Sequence, residues 1–386
     1  MMAENSVMSP FQLLQTQWPS LLSMLPPEAV LEASARCHGA LSRRRILRSA
    51  QAVLRLALIY CCGLSLRQTS YWAGVLGLGK MSQVGVMKCL RRSSAWLGQL
   101  VGMKLAERAQ CRQVQGLRLR LVDATTVSAP GSQGTDWRLH LGFDLGSLSI
   151  DSVELTDAKG GESLSRFQVG PREVLIGDRG YAHAKGLESV QQAGGQFLVR
   201  INWQNLPLQT RQGEAFDLVA AARGIADTEV AEFEVQVAAT RQTPAIAARL
   251  LIVRKSELAS EQTRKKILRE AKKKGRRVNP KTLEAAGYVF LLTSVPADQL
   301  PACQVVELYR FRWQVELAFK RLKSLWNFGC VPAKDPDLAR AYLYAKLLIA
   351  LLVEEMTETL RSHSPWGFRL PSGVSGKPLA TSGPPL

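Results

Sequence analysis

A chain of 386 residues with 46% hydrophobic content has apolar material for two or three cored domains, which excludes a basic disordered tail as the whole protein. Fifty Lys and Arg against 32 Asp and Glu leave a net charge of +18, which favours a polyanionic partner, nucleic acid first and an anionic membrane surface second. The seven Cys are scattered with no C-x-x-C pair, excluding a disulfide frame and a zinc site. The most apolar windows, Ala52–Cys62 and Leu343–Val353, are too short to span a bilayer and are interrupted by Arg55 and Lys346. No signal peptide is visible at the start, so a soluble intracellular protein with no membrane partner is expected.

Residues 1–40 are weakly patterned, and Pro19, Pro26 and Pro27 break any long helix. From Arg43 to Cys62, Ile46, Ala50, Val53, Leu54, Ala57 and Leu58 recur at threes and fours, which predicts a helix. Short helices over Ser65–Ala73, Ser82–Leu90 and Ser94–Arg108 follow, separated by turns at Gly74, Gly77 and Gly79. With Arg67, Lys80, Lys88, Arg91 and Arg92, this all-helical stretch suits a DNA-binding module and equally an ordinary helical domain.

At Leu117 the period changes to two. LRLRLVDATTV alternates apolar and basic residues and delivers Asp123 at a strand end. Trp137–Leu145 and Leu148–Leu155 read as two further strands of an antiparallel meander, with Arg138 and His140 on one face. A short helix over Glu162–Phe167 precedes the apolar strand Glu173–Gly177. That strand ends in Asp178-Arg179-Gly180-Tyr181, a helix over His183–Ala193 and the strand Gly195–Ile201. The sum is an α/β class chain with a sheet of mixed direction.

Residues 202–296 change character. Strand-like runs at Glu229–Val237, Ala248–Arg254 and Tyr288–Val295 suggest a β-rich insertion around a helix over Glu257–Arg277. Nine bases and one acid lie between Arg264 and Arg277, read either as a solvated helix or as a DNA-backbone contact. A long apolar helix spans Pro336–Arg361. From Pro365 onward Pro, Gly and Ser dominate, as in a disordered tail.

Between them, Val305–Trp326 sorts cleanly at about 100° per residue. Leu308, Phe311, Val315, Ala318, Phe319, Leu322 and Trp326 form one stripe; Tyr309, Arg312, Glu316, Lys320 and Lys323 form the opposite one. A solvated ion-paired face is one reading. The other rests on composition: a lone acid inside a cationic strip suits a metal-binding carboxylate lying beside phosphates. Asp123 and Asp178 end apolar strands, and a helix packed at that sheet edge adds Glu316 as a third hard oxygen ligand. Mg²⁺ or Mn²⁺ fits such a set, and two ions about 3.5–4 Å apart activate a water and stabilise the leaving oxygen of a phosphodiester.

The spacing of Tyr309, Arg312, Glu316 and Lys323 resembles the Tyr-Arg-Glu-Lys signature of bacterial insertion-sequence transposases of the insertion sequence four type. Asp178-Arg179-Gly180-Tyr181 is similar to the second-aspartate motif of that family, and LVDATTV to the first. The stretches SLRQTSYWAGVLGLGKMSQVGVMKCLRRSSAWL, GGESLSRF, GQFLVRINW, GYVFLLTS and AYLYAKLL extend the resemblance from about residue 43 to Trp366.

The resemblance implies an RNase H-like core, residues 116–201 and 297–362, interrupted by the β-rich insertion 202–296. A helical DNA-binding domain, 1–115, would precede it and a tail, 363–386, would follow. It implies that Asp123, Asp178 and Glu316 hold divalent metal, as two ions, and cut at transposon ends so that the freed 3′-OH attacks DNA, often through a hairpin. Tyr309, Arg312 and Lys323 would contact phosphates; Lys320 joins them on helical geometry alone. Several family members stack a flipped base on a Trp near the start of the last insertion strand. Here Tyr288 stands there, for stacking or for strand packing, and Trp203 is a further candidate. Arg138 is expected at DNA, and His140 is either a metal ligand or a packed histidine. Partners would be double-stranded DNA, as inverted repeats and target, bound by a homodimer in the bacterial cytoplasm at the nucleoid.

Family members continue past the Ser-Pro-Trp-Gly stretch into helices that help them dimerise, whereas nineteen residues follow Gly367 here. A shortened copy with its triad intact is therefore one expectation. The rivals to a transposase are an RNase H-fold nuclease that nicks without joining and a catalytically silent DNA-binding remnant.

Overall fold

The computed structural model describes residues 14–42, 46–108, 116–146, 149–226, 230–310, 312 and 331–363, with the backbone alone for 106–108, 149 and 357–363. Before residue 109 the described elements are helices: α1 (Trp18–Ser23), α2 (Glu28–Cys37), α3 (Ala50–Cys61), α4 (Leu66–Val75) and α5 (Gln83–Arg108). Local chemistry sets their starts. Ser49 accepts from the Ala52 amide at α3, and Ser65 with Gln68 makes a reciprocal capping box at α4. The two helices expected over 82–108 are one. Arg91-Arg92-Ser93 contains no breaker, and the buried Ser93 hydroxyl donates to the Cys89 carbonyl one turn back.

The sheet has nine strands: β1 (Arg118–Val127), β2 (Trp137–Asp144), β3 (Ser149–Asp157), β4 (Glu173–Gly177), β5 (Gln196–Ile201), β6 (Leu208–Gln209), β7 (Val230–Val237), β8 (Ile246–Arg254) and β9 (Tyr288–Thr293). Their spatial order is β3-β2-β1-β4-β5-β9-β8-β7-β6. β1, β4 and β5 run parallel, while the flanking pairs are antiparallel. The helix expected at Glu162–Phe167 is a single 3₁₀ turn, Leu164–Arg166, and α6 (Ala184–Gln192) carries the chain from β4 to β5. Residues 202–296 supply β6 to β9 with α7 (Leu218–Ala222), α8 (Glu257–Lys273) and α9 (Pro280–Ala285). Because β9 pairs with β5, these strands extend the same sheet. Residues 302–310 form α10, and α11 spans Pro336–His363.

Alternation along the central strands gives each sheet face its own core. Leu119, Leu121, Val174, Ile176 and Leu198 join one cluster with α3, α5 and α11, whereas Val122, Leu175, Phe197 and Val199 join the other with α6 and α7. On the first face α11 packs against α3 and α5. Tyr342 meets Tyr60 edge-on at 5.4 Å, and a Cβ on Gly98 would already touch the Tyr344 ring at 3.2 Å, so a small residue there lets α11 approach. No helix among the described residues is long and apolar enough to cross a membrane.

Candidate active site

Asp123 lies on β1 and Asp178 directly follows β4. The parallel register runs from Arg118↔Glu173 to Leu121↔Ile176. Carried two residues further, it sets Asp123 beside Asp178. Both keep the parity of Leu121 and Ile176, which puts them towards the first core and α10. From α10 the Tyr309 hydroxyl donates to Asp178 Oδ1 at 3.4 Å. The Arg312 guanidinium stands 5.2 Å over the Tyr309 ring. Tyr309 is only 6% exposed, so the polar stripe here faces inward. Glu316, Lys320 and Lys323 lie outside the described residues.

Electrostatics around Asp178 favour its carboxylate. Burial pushes its pKa up, but Arg312, the Arg179 amide, Arg200 and the Arg179 guanidinium outweigh that and leave it below its ordinary value. Tyr309 is pushed to about 12, chiefly by burial, so its hydroxyl keeps its proton at neutral pH.

A third carboxylate, given no role from sequence, joins the pair. Glu162 lies before the 3₁₀ turn, and a Cβ on Gly180 would fall 1.6 Å from its Oε2. The glycine two residues after Asp178 thus leaves room for that carboxylate. Burial raises the Glu162 pKa, Asp123 and Asp178 add to this, and Arg138 and His183 oppose it. The one sequence signal for Glu162 is the glycine pair before it, Gly160-Gly161.

Arg138 lies on the β2 face opposite Leu139 and Leu141, donates to the Gly160 carbonyl at 3.3 Å and acts on Glu162 through its charge. His140 is fully buried, its Nε2 3.1 Å from Thr156 Oγ1, and burial with Arg166 and Arg138 lowers its pKa to about 4. It is a neutral packed histidine at physiological pH.

Tyr288 and Trp203 line one cavity of about 620 Å³ that reaches Asp178. Arg179, Arg200, Lys255 and Lys266 line it too. Trp203 donates to Thr282 Oγ1 at 3.3 Å, and the Tyr288 ring lies 6.2 Å from that of Phe290. Lys255 is 4% exposed, and its ammonium donates to the Ala286 carbonyl and Thr263 Oγ1. Burial, then Arg200, Arg179 and Arg264, lower its pKa to about 8. Lone basic residues in strands and loops announce no such convergence, which explains why sequence reasoning missed Arg179, Arg200 and Lys255.

Two adjacent carboxylates, one held ionised by neighbouring guanidiniums, are hard donors that fit a divalent cation. Among the described residues no group of three His, Cys, Asp or Glu is placed to hold a metal. An acid pair at the carboxyl edge of parallel strands, beside a cation-lined cavity in a chain of net charge +18, marks a phosphoryl-transfer enzyme of nucleic acids.

Comparison with known proteins narrows the class. Residues 115–352 match the transposase DDE domain. The chain is 39% identical over 347 residues to a putative transposase of insertion sequence element IS186A from Escherichia coli K12, covering 88% of this chain and 94% of that protein. It is 39% identical over 348 residues to the transposase of IS421 from Escherichia coli, with the same coverage. At 25% over 268 residues it is similar to the transposase of IS231F from Bacillus thuringiensis, covering 61% and 55%. The chain belongs to the DDE transposase family, whose domain is RNase H-like and depends on divalent metal.

Proposed function

We propose that Asp123, Asp178 and Glu316 are the catalytic carboxylates of a transposase that cuts the inverted-repeat ends of its own insertion sequence and joins them to target DNA. The observation that carries this is the adjacency of Asp123 and Asp178 under the Tyr309 hydroxyl. Two Mg²⁺ or Mn²⁺ ions, held by the three carboxylates, would activate the attacking oxygen and stabilise the leaving one. Tyr309 orients Asp178, while Arg312 keeps it ionised and offers a guanidinium to the phosphate. Lys320 and Lys323, four and seven positions after Glu316 in the sequence, contact flanking phosphates. Arg138 contacts DNA from β2. The cavity between Trp203 and Tyr288 takes an unstacked base, with Arg200 and Lys255 on its phosphate.

Residues 1–115 bind the element's ends, 116–201 with 297–362 form the core, and 202–296 are its insertion. The protein acts as a homodimer on double-stranded DNA in the cytoplasm, at the nucleoid.

Incubating the protein with its end DNA and Mg²⁺, beside Asp178→Asn and Glu316→Gln variants, tests this. Nicked 3′-OH ends and joined products from the native chain alone are expected. Nicks without joining would point to a nuclease, and binding without cleavage in Mg²⁺ or Mn²⁺ would refute the catalytic reading.

A further inference from the structure

Glu162 stands beside the Asp123–Asp178 pair, yet neither the three proposed catalytic carboxylates nor the phosphate contacts include it. Its backbone is held on both sides. Ser163 Oγ accepts from the Ser165 amide at 3.3 Å, Arg166 donates to the Gly161 carbonyl at 2.8 Å, and Arg138 donates to the Gly160 carbonyl at 3.3 Å. Capping of the 3₁₀ turn therefore falls to Ser163 and not to Glu162. The nearby guanidiniums are engaged elsewhere too, Arg138 on Gly160 and Arg166 on Gly161 and Glu154. Among the described residues the Glu162 carboxylate makes no hydrogen bond or ion pair. A half-buried carboxylate beside two others, with no donor of its own, is placed for a cation or for the water a cation carries.

A second group converges on the same place. Tyr181 is 1% exposed, its ring lies 6.2 Å from that of Phe167, and its hydroxyl has no hydrogen-bond partner among the described residues. Burial, then the charges of Asp123 and Glu162, raise its pKa, so the hydroxyl keeps its proton within the field of both carboxylates. A buried hydroxyl without an acceptor is costly, and an acceptor between it and the two acids would remove that cost.

We propose that Glu162 is a positioning residue of the divalent-ion site, accepting a hydrogen bond from water carried by an ion on Asp123 and Asp178, with the Tyr181 hydroxyl donating into the same water layer. The inference rests on that pair being metal-binding carboxylates. Distance selects the indirect role. Among the described residues no three His, Cys, Asp or Glu stand close enough together to ligate one ion directly. Mg²⁺ keeps several of its waters when carboxylates hold it, which gives Glu162 something to grip. Outer partners of this kind orient the ion and set its affinity.

The test is calorimetric Mn²⁺ titration of the full chain without DNA, joined to nicking of end DNA across a Mg²⁺ series. Glu162→Gln keeps the shape and removes the charge. It should lower Mn²⁺ affinity about tenfold and raise the Mg²⁺ needed for half-maximal nicking by a similar factor, with the rate at saturating Mg²⁺ nearly native. Glu162→Asp should recover part of the loss. Tyr181→Phe changes no charge and should lower Mn²⁺ affinity about threefold without lowering the melting temperature, since the hydroxyl it removes has no partner. A purely structural role would instead reduce melting and the saturated rate and leave Mn²⁺ affinity alone, which overturns the proposal. So does native Mn²⁺ affinity in a folded Glu162→Gln chain; loss of the ion by Asp178→Asn in the same series would then leave the catalytic reading intact. Native affinity in Asp178→Asn as well would refute both. Should Glu162→Gln not fold, native affinity in both Glu162→Asp and Tyr181→Phe overturns the proposal.

Discussion

Asp151→Ala should destabilise the core through a buried charge network that also holds the active-site strands in register. Asp151, with its side chain 2% exposed, sits on β3 and accepts from Arg118 at 3.0 Å and from Arg120 on β1. The same two guanidiniums reach Glu173, the first residue of β4, at 2.6 and 3.2 Å, and Arg118 reaches Asp144 at 2.8 Å. Burial draws the Arg118 pKa down, but hydrogen bonds and charge from Asp144, Glu173 and Asp151 raise it above the ordinary value. Truncating Asp151 leaves Arg120, 4% exposed, without its main carboxylate. Breaking a buried pair by removing one partner costs about 3–5 kcal/mol. At roughly 2–4 °C per kcal/mol, melting should fall by about 6–20 °C. Glu154→Ala is the control: its pair with Arg166 is 41% and 22% exposed, so under about 1 kcal/mol is expected. Thermal unfolding followed by circular dichroism measures both. An Asp151→Ala chain that melts with the native protein would refute the reasoning.

Other perturbations bear on the site itself. Tyr309→Phe removes one long hydrogen bond to Asp178, worth about 1 kcal/mol, so nicking should slow roughly fivefold while DNA affinity holds. A rate equal to the native one would deny Tyr309 a role through Asp178. His140 has its pKa lowered from 6.5 to about 4, so its burial contributes stability that is fully present above 6.5 and lost as pH falls towards 4. His140→Gln should accordingly flatten the loss of melting temperature over that window; identical slopes would count against it. Gly180→Ala forces the flexible Glu162 carboxylate aside and should leave melting nearly unchanged while lowering calorimetric Mn²⁺ affinity, because a negative charge beside the Asp123–Asp178 pair is moved away. Unchanged affinity would mean Glu162 does not act on the pair. Lys255 loses its proton as pH rises through about 8, so DNA affinity should decline across that range in the native chain and stay level in Lys255→Met. Parallel pH profiles would exclude Lys255 from the interface.

Much of this protein could be read from periodicity and spacing. The helices α3 and α11 and the alternation in β1 follow from apolar residues recurring at threes and fours or at twos, because local sterics and burial act over a few residues. Tyr309 and Arg312 stand on one helix face for the same reason, and the +18 charge marks a polyanionic partner without any fold. What the chain alone could not decide is who sits beside whom. Asp123 meets Asp178 only because β1 pairs in parallel with β4 across the whole β2–β3 meander, and such long-range pairing leaves no local imprint on either strand. Glu162 over Gly180, the buried Lys255 among arginines, and the inward turn of Tyr309 were decided the same way. A side chain's period is written in its own segment, whereas its electrostatic neighbours are chosen by strand order and packing, which belong to the whole chain.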